Sequence, residues 1–432
     1  RVKKLKPADA YVQRTLRSVV MVPLHTEQEI VYRQEVLKDA LASVDLIRKL
    51  YEFSTEVIKQ WELFGRRTTA KTHGSSDARG RLISDIWILR HLVTSLGKLK
   101  EMLQAEADRL ESEGFRELYK RLCEEFSKES EEALRKALDS VAFYAEIGNN
   151  PDAETVGRPR IVLSCDLTEG LKCGNFVLED IKTQQKKYRS SKNVIKKVQG
   201  YINAFIPDSF STQNSIQIAQ QTAELEYEVV RYVVNACRPF EDFVGAYFDQ
   251  LKFQLAYYVG AINICEQMKR FGVAYCFPKV VSRERLCFTE LKEFVMCMGQ
   301  RVEPVGNTCD IVDRMLVIVT GANQGGKSTF LRSVAIAQIL MQCGMCVPAE
   351  RYESGIFTSF FTHFTRREDS QMNSGRLDEE LQRMNQIVEN LGEDSLVLLN
   401  ESFATTTEKE GSLIAYDITK ALVEAGVKAL TV

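Results

Sequence analysis

Apolar residues recur every three to four positions along the first third of the chain, the spacing typical of helices with one buried face. Thr26-Glu27-Gln28-Glu29 has the form of a capping box, and the apolar set after it predicts a helix that reaches Tyr51. A second set predicts another helix, and after a break at Gly114 the spacing continues from Phe115 to Tyr144. The two sets are Ile30, Leu37, Leu41, Val44, Ile47 and Tyr51, then Leu82, Ile86, Leu89, Leu92, Leu96, Leu99 and Leu103.

The pattern changes at residues 148–159, GNNPDAETVGRP, where turn-forming residues replace the helical spacing. The next segment, RIVLSCDL, is short and rich in β-branched residues, which favours a strand. Helical spacing returns from about Thr212 to Phe271, with an interruption near Pro239. These changes predict a helical body, residues 1–147 and 209–276, which is split by an insert at 148–208.

Short apolar runs alternate with helical segments from Phe277 onward. The runs are Met315–Val319, Leu396–Leu399 and Val427–Val432. Alternating strands and helices indicate a parallel sheet with right-handed crossovers, whose ligands bind at the carboxyl ends of the strands. Residues 277–432 are therefore predicted to form an α/β domain, so that the fold class is multidomain, α plus α/β.

The composition is that of an ordinary globular protein: 432 residues, 44% apolar and 27% charged. No stretch approaches the ~18 apolar residues of a membrane span, so we expect no membrane association. Eleven scattered cysteines suit a reducing compartment and predict a cytoplasmic protein. Cys343 and Cys346 are interpreted as buried small hydrophobes, and the four histidines show no ligand spacing. Because the chain starts without Met and ends inside VKALTV, we expect a fragment.

Basic residues cluster within the predicted insert. With a net charge of −2, nucleic-acid binding would depend on such a local patch. The patch either binds DNA phosphates, a strongly salt-dependent contact that does not read sequence, or is an ordinary solvated surface. Seven basic residues and no acidic residue lie between Lys182 and Lys197: Lys182, Lys186, Lys187, Arg189, Lys192, Lys196 and Lys197.

The segment Gly321–Ser328, GANQGGKS, satisfies the phosphate-loop pattern G-x-x-x-x-G-K-[ST], with an apolar run before it and helical spacing after it. Its amides and the helix N-terminus would surround phosphates, and Lys327 would reach the β- and γ-phosphates. Ser328 would supply an oxygen to Mg²⁺. The predicted ATP-binding residues are Gly321, Asn323, Gly325, Gly326, Lys327, Ser328 and Thr329.

A second strand must bring an acidic group to this loop, and SLVLLNES, Ser395–Ser402, is the candidate. Asn400 stands at the end of the apolar run, where its amide can hydrogen-bond a metal-bound water without adding charge. Glu401 is the predicted general base, which would take a proton from the water that attacks the γ-phosphate. The alternative for Glu401 is an exposed glutamate at a strand end.

TGANQGGKSTFLRSVAIAQILMQCGMCVPAE resembles the ATPase domain of the MutS family of DNA mismatch-repair proteins, and SGRLDEELQRM, SLVLLNES and KALTV continue the resemblance. IVYRQEVLKDAL is similar, more weakly, to the start of that family's helical core. The chain departs from the family pattern at Ala322, Gln324 and Asn400, where Pro, Met and Asp are usual. The resemblance assigns Ser374 to a contact with the partner subunit's nucleotide, although Leu377 stands where a serine is usual.

The resemblance implies a short MutS-like protein without the mismatch-reading domain. Its long helices would act as levers, the 148–208 insert as a clamp-like segment, and residues 277–432 as an ABC-like ATPase that forms a homodimer. ATP binding with Mg²⁺ would close the dimer around a DNA structure, in DNA repair or recombination, and hydrolysis would reopen it. The alternatives are a nucleotide-gated scaffold that recruits a protein partner, such as a repair protein, without touching DNA, and a small-molecule kinase, which does not explain the helical body.

Overall fold

The computed structural model describes residues 9–68, 75–129, 131–132, 135, 160–168, 172–182, 212–299, 304–322, 324–364, 376–392, 394–404 and 406–432. The chain forms two compact units. The first comprises Arg1–Arg48, Asp108–Arg116 and Phe253–Val432, and the second comprises Lys49–Ala107 and Glu117–Lys252. The domain limits placed at residues 147, 208 and 276 stay predictions.

Helices make up the beginning of the described chain, as the apolar spacing predicts. Thr26 caps α2 as expected, because its hydroxyl accepts a hydrogen bond from the Glu29 N–H at 3.3 Å and donates to the Glu29 carboxylate at 2.7 Å. The helices are α1 (Ala10–Val20), α2 (Glu27–Ala42), α3 (Val44–Thr68), α4 (Ser75–Gln104) and α5 (Glu113–Glu125).

Two predicted helix boundaries are wrong. The helix expected to reach Tyr51 is divided between α2 and α3, because Ser43 leaves the helical conformation with φ −125° and ψ 50°. Gly114 does not end a helix but lies in the first turn of α5, where a Cβ atom would meet Val36 Cγ2 at 2.6 Å. The glycine thus permits close packing against α2, and the break lies just before it, around a short 3₁₀ turn at Ala107–Arg109.

One helix of 59 residues, α6 (Thr212–Arg270), contains Pro239. The prediction of an interruption there is wrong, since the loss of one backbone hydrogen bond does not end a helix of this length. The helix ends instead at Arg270, two residues before Gly272, whose φ of 68° is left-handed. The Val273 N–H donates to the Met268 carbonyl at 2.9 Å and closes the last turn, as in a Schellman motif.

Residues of the predicted insert form an antiparallel hairpin, β1 (Arg160–Thr168) and β2 (Lys172–Lys182), with Arg160 opposite Lys182. This confirms the strand expected in RIVLSCDL. Among the described residues, no helix has the length and apolar character that crossing a bilayer requires.

The α/β part of the first unit contains two four-stranded sheets. The parallel sheet that the sequence predicts has the order β6-β10-β9-β8. A second, mixed sheet with the order β3-β7-β4-β5 was not predicted. The strands are β3 (Lys279–Val280), β4 (Leu286–Leu291), β5 (Asn307–Ile311), β6 (Leu316–Ile318), β7 (Arg351–Ser354), β8 (Ser359–Phe364), β9 (Ser395–Asn400) and β10 (Lys428–Thr431).

Four helices accompany these strands: α7 (Phe294–Gly299), α8 (Lys327–Gln342), α9 (Arg376–Glu389) and α10 (Glu408–Glu424). Helices α9 and α10 pack on the parallel sheet through one buried apolar cluster, to which α9 contributes Met384 and α10 contributes Leu422. The cluster comprises Met384, Val397, Leu399, Phe403, Leu422, Val427 and Ala429.

The C-terminal end of α8 is held by residues from the helical segments of the same unit. The Tyr257 hydroxyl of α6 and the Arg33 guanidinium of α2 both donate to the Cys343 carbonyl, at 2.6 and 3.2 Å. The Gln342 amide donates to the Leu24 carbonyl at 3.0 Å. Cys343 and Cys346 are fully buried, as expected of small hydrophobes. The helix that starts at the phosphate loop therefore ends in a fixed contact with α2 and α6.

Candidate functional site

The phosphate loop, residues 321–328, connects β6 to α8, which is the predicted strand–loop–helix context. Gly326 has a φ of 86° and precedes the first residue of α8. A Cβ atom there would meet nothing within 4 Å, so glycine is favoured by the left-handed backbone and not by lack of space. Gly325 differs, because its Cβ would approach the Ala322 carbonyl oxygen at 2.9 Å. These two glycines fit the tight curl of a phosphate-binding loop.

Lys327 is the first residue of α8 and is half-buried. Its ammonium donates to the carbonyls of Gly321 and Ala322, at 2.9 and 3.2 Å, so the charge lies against the loop. Ser328 and Thr329 follow in the first turn of the helix, where backbone N–H groups and the helix dipole favour an anion. The loop thus combines a cation with the N–H groups of a helix N-terminus that has no side-chain cap.

The second half of the site is the β9 turn, which we define as residues 401–404. Strand β9 is buried along its whole length, and Asn400 at its end is 8% exposed. Glu401 is exposed and has a φ of 50°, and Phe403 has a φ of 66°. A left-handed conformation costs a residue other than glycine on the order of 1 kcal/mol or more, so the surroundings must hold this turn.

Strand β10 connects the two halves. In its register, Thr431 lies between Ile318 of β6 and Leu399 of β9. One step further, the Val319 N–H donates to the Thr431 carbonyl at 2.8 Å, and the Glu401 N–H donates to the Val432 carbonyl at 3.0 Å. The phosphate loop and the β9 turn therefore leave the sheet at the same level, two strand spacings apart, or roughly 10 Å.

Buried side chains of β8 and α9 hold the β9 turn. The Phe403 N–H donates to the Glu380 carboxylate at 2.9 Å, and Glu380 is 4% exposed. His363, which is 1% exposed, lies 2.7 Å from the Ser402 hydroxyl through Nδ1 and 3.2 Å from the Glu380 carbonyl through Nε2. The rings of His363 and Phe403 stack with centroids 5.5 Å apart. We call these four residues, Glu380, His363, Ser402 and Phe403, the turn-holding cluster.

The protonation of His363 follows from its surroundings. Burial lowers the pKa of His363, and the nearby Arg383 guanidinium lowers it further, while Glu380 has the opposite effect. The ring is therefore neutral near pH 7. The Glu380 carbonyl can only accept, so Nε2 carries the proton and Nδ1 accepts from the Ser402 hydroxyl.

The turn-holding cluster is not among the residues predicted from the sequence. His363 and Ser402 are 39 residues apart and Glu380 and Phe403 are 23 apart, so no local spacing indicates their contact. A signal that could have pointed there is the pair of polar residues, Thr362 and His363, inside the otherwise apolar run FFTHF.

Several predicted site residues lie outside the residues that the structure describes. These are Asn323 of the phosphate loop, Ser374, and the basic residues Lys186, Lys187, Arg189, Lys192, Lys196 and Lys197. Lys182 is the last residue of β2, in the second compact unit. Their roles stay predictions.

The residues at this sheet edge suit a nucleotide and its metal ion. The left-handed Gly326 and the Lys327 ammonium form a cradle of the kind that anionic phosphates need. Mg²⁺ prefers oxygen ligands, which the Ser328 hydroxyl and the Asn400 amide can provide directly or through water. Glu401, which directly follows Asn400 in the chain, adds an exposed carboxylate.

Family models match both parts of the chain. Residues 25–271 match the MutS2 N-terminal domain, and residues 317–432 match MutS domain V. The first match alone covers more than half of the chain.

Curated proteins that carry MutS or MSH names are similar to parts of the chain. The DNA mismatch repair protein MutS of Desulfosudis oleivorans is 28% identical over 230 residues, which cover 46% of this chain and 26% of that protein. The MutS protein homolog 4 of Mus musculus is 34% identical over 130 residues, 30% of this chain and 13% of that protein. The DNA mismatch repair protein MSH3 of Debaryomyces hansenii is 36% identical over 119 residues, 28% of this chain and 12% of that protein. The chain thus spans about a quarter or less of these relatives.

Proposed function

The chain belongs to the MutS family, and from this premise we propose that it is a DNA-binding ATPase in which ATP binding and hydrolysis close and open a dimer around a DNA structure. Its domain V is an ATPase domain, and the relatives named above are DNA mismatch repair proteins or a MutS homolog. The DNA structure would be a branched or distorted duplex, since no mismatch-reading segment was identified in the sequence.

The proposal depends most on one observation. The phosphate loop and the β9 turn leave the parallel sheet at the same level, on either side of β10. This arrangement brings a cation and helical N–H groups from one strand end and a carboxylate from another to one edge of the sheet. Binding of a polyphosphate and activation of water need this combination.

Each residue has a distinct proposed role. Lys327 and the loop amides hold the β- and γ-phosphates of ATP, and Glu401 accepts a proton from the attacking water. Ser328 and Asn400 would hold Mg²⁺, which neutralises charge on the phosphates when it is bound. Asn400 contributes no negative charge, so its hold on the ion is weaker than that of a carboxylate.

Movement at the nucleotide would reach the long helices through α8. That helix begins at Lys327, and its last turn is fixed to Tyr257 of α6 and Arg33 of α2. A shift of the phosphate loop on ATP binding would therefore move α6, the proposed lever. The homodimer would form through residues 277–432, with Ser374 reaching the nucleotide of the partner.

The basic insert supports direct contact with DNA. We propose that Lys182, Lys186, Lys187, Arg189, Lys192, Lys196 and Lys197 bind phosphates, which position a protein on DNA without reading its sequence.

A second candidate is a nucleotide-gated scaffold that recruits a protein partner and does not touch DNA. Two observations favour it: the net charge of −2, and the amide of Asn400 where a carboxylate would retain the metal more tightly.

A filter-binding titration separates the two candidates. The full chain is titrated against linear, mismatched and four-way-junction DNA, with and without ATP and Mg²⁺. A DNA-binding ATPase should prefer one distorted substrate over linear duplex, and ATP should change that affinity. If no DNA binds in either nucleotide state, the scaffold is the better explanation.

Neutralisation of the basic insert tests its contact with DNA. Replacement of Lys186, Lys187, Lys196 and Lys197 by alanine should weaken binding to all sequences alike. The slope of log K against log salt should become shallower by about 0.9 on duplex DNA for each phosphate that the variant no longer binds. A control variant that replaces the exposed Lys59, Lys120, Lys128 and Lys420 carries the same change in net charge. Equal slopes for the two variants would indicate that the basic residues of the insert form an ordinary solvated surface.

A further inference from the structure

The β9 turn is held in a conformation that its sequence does not favour. Glu401 and Phe403 both have positive φ, although neither is glycine. Such residues persist where the surrounding structure determines their backbone, and they occur often at functional sites. The contacts that hold the turn therefore decide where the exposed Glu401 carboxylate points.

Contacts hold the turn from two sides. On one side, the Glu401 N–H donates to the Val432 carbonyl of the chain segment after β10. On the other, the Phe403 N–H donates to the buried Glu380 carboxylate, and the Phe403 ring stacks on His363. Ser402 lies between these anchors, with its hydroxyl 2.7 Å from His363 Nδ1.

His363 fixes Ser402 with a defined polarity. It extends from β8 directly opposite Leu399 of β9, and its Nε2 donates to the Glu380 carbonyl. That second bond fixes both the tautomer and the plane of the ring, as the outer hydrogen bond of a metal-binding histidine does. The ring then presents Nδ1 as an acceptor at 2.7 Å, closer than the His363 carbonyl at 3.5 Å, so Nδ1 is the favoured acceptor of the Ser402 hydroxyl.

We propose that His363 is a positioning residue for Glu401 and acts through Ser402. The proposal depends on the proposed function, in which Glu401 is the general base. His363 does not touch the nucleotide in this role. Its removal should lower the rate of hydrolysis while the phosphate loop, which is built from its own short-range contacts, binds ATP as before.

Three substitutions at His363 separate the contacts. His363→Phe keeps a ring against Phe403 and removes both hydrogen bonds. His363→Asn can place an amide oxygen where Nδ1 accepts from Ser402, and His363→Gln can place an amide N–H where Nε2 donates to Glu380. We expect kcat to fall about tenfold for Phe and Gln, below the ~10²-fold that a displacement of 1 Å can cost, and to stay near the parental value for Asn.

The matched control is Thr362→Ala, on the same strand with an exposed side chain. Single-turnover hydrolysis and the Kd for ATP are measured for each variant. An unchanged Kd with a lower kcat is expected for Phe and Gln. Equal rates for the parent and His363→Phe would overturn the proposal, and so would a loss in kcat matched by an equal loss of ATP affinity, which indicates general disruption.

A double-mutant cycle with Glu401→Gln tests whether His363 affects hydrolysis through Glu401. If His363 acts through Glu401, then His363→Phe should cause no further loss in the Glu401→Gln background. If the double variant instead loses the product of the two single-variant losses in hydrolysis rate, His363 acts independently of Glu401, which would contradict the inference. A Glu401→Gln variant with the parental rate would instead remove Glu401 as the base, so failure of the proposed function is recognised separately.

Ser402 provides the same test without a change in the core. Ser402→Ala removes the hydroxyl from a half-exposed residue, and Ser402→Thr keeps it. If His363→Phe does not fold, as judged by circular dichroism, the comparison of Ala with Thr decides the matter. The expected result is a lower kcat for Ala and recovery for Thr, and equal rates for both would contradict the proposal.

Discussion

The two halves of the candidate site are built in different ways. The phosphate loop is held by contacts within itself, since Lys327 bonds to Gly321 and Ala322, six and five residues away. The β9 turn is held by Glu380 and His363, 23 and 39 residues away, which are both buried. A loop with local contacts can adapt to its ligand, whereas a turn held by the core keeps its position. ATP binding is therefore expected to depend on the phosphate loop, and the rate of ATP hydrolysis on the β9 turn.

The largest effect is expected from a change in the second half, the β9 turn, alone. Glu401→Gln keeps the size of the side chain and removes its basicity, and loss of a general base costs about 10²- to 10⁴-fold in rate. ATP should bind as in the parent, and the protein should accumulate as an ATP-bound dimer. Single-turnover hydrolysis beside size-exclusion chromatography with ATP and Mg²⁺ measures both.

Glu408→Gln, at an exposed position in the first turn of α10, is the matched control for this change. Parental hydrolysis by Glu401→Gln would exclude Glu401 as the base. If the variant failed to bind ATP, Glu401 would have a structural or metal-holding role, and the division between binding and rate would be wrong.

A smaller effect, on the other half, is expected from Lys327→Ala. Hydrogen bonds to charged groups contribute roughly 1.5 to 3 kcal/mol, so ATP should bind about 10- to 100-fold more weakly. The fold should be unaffected, because the half-buried Lys327 bonds through its ammonium to carbonyls of the loop itself and not to a distant part of the chain. Equilibrium ATP binding and thermal melting measure the two quantities, with Lys420→Ala on the exposed face of α10 as the control. Parental ATP affinity in a folded Lys327→Ala variant would refute the phosphate-loop assignment.

The same difference explains what could be predicted from the sequence. The phosphate loop, β6 and α8 follow one another directly, so one motif and its flanking patterns predict them together. Thr26 and Glu29 form their capping box for the same reason. The turn-holding cluster could not be predicted, because His363, Glu380 and Ser402 meet only after the sheet and α9 have packed.

The errors in the predicted helices have a related cause. Gly114 and Pro239 are helix-breaking residues by local preference, but both lie inside helices. At Gly114 the explanation is the close approach of Val36 from another helix, a contact that local rules do not contain. Tertiary packing thus decides where the local preference is weak.

The smallest expected effect concerns Asn400, which in the proposed function would join the two halves through the metal ion. Asn400→Asp adds a carboxylate at the end of β9, where it could bind Mg²⁺ with Ser328 of the phosphate loop. If retention of the metal limits the parent, the variant should need severalfold less Mg²⁺ for half-maximal hydrolysis and should turn over faster. At 8% exposure, the new charge should also lower the melting temperature without Mg²⁺, and ATP with Mg²⁺ should restore it. Asn263→Asp, exposed on α6 and facing Arg48, controls for the added charge. The same Mg²⁺ dependence in Asn400→Asp and the parent would place Asn400 away from the ion, and the two halves would then meet through the nucleotide alone.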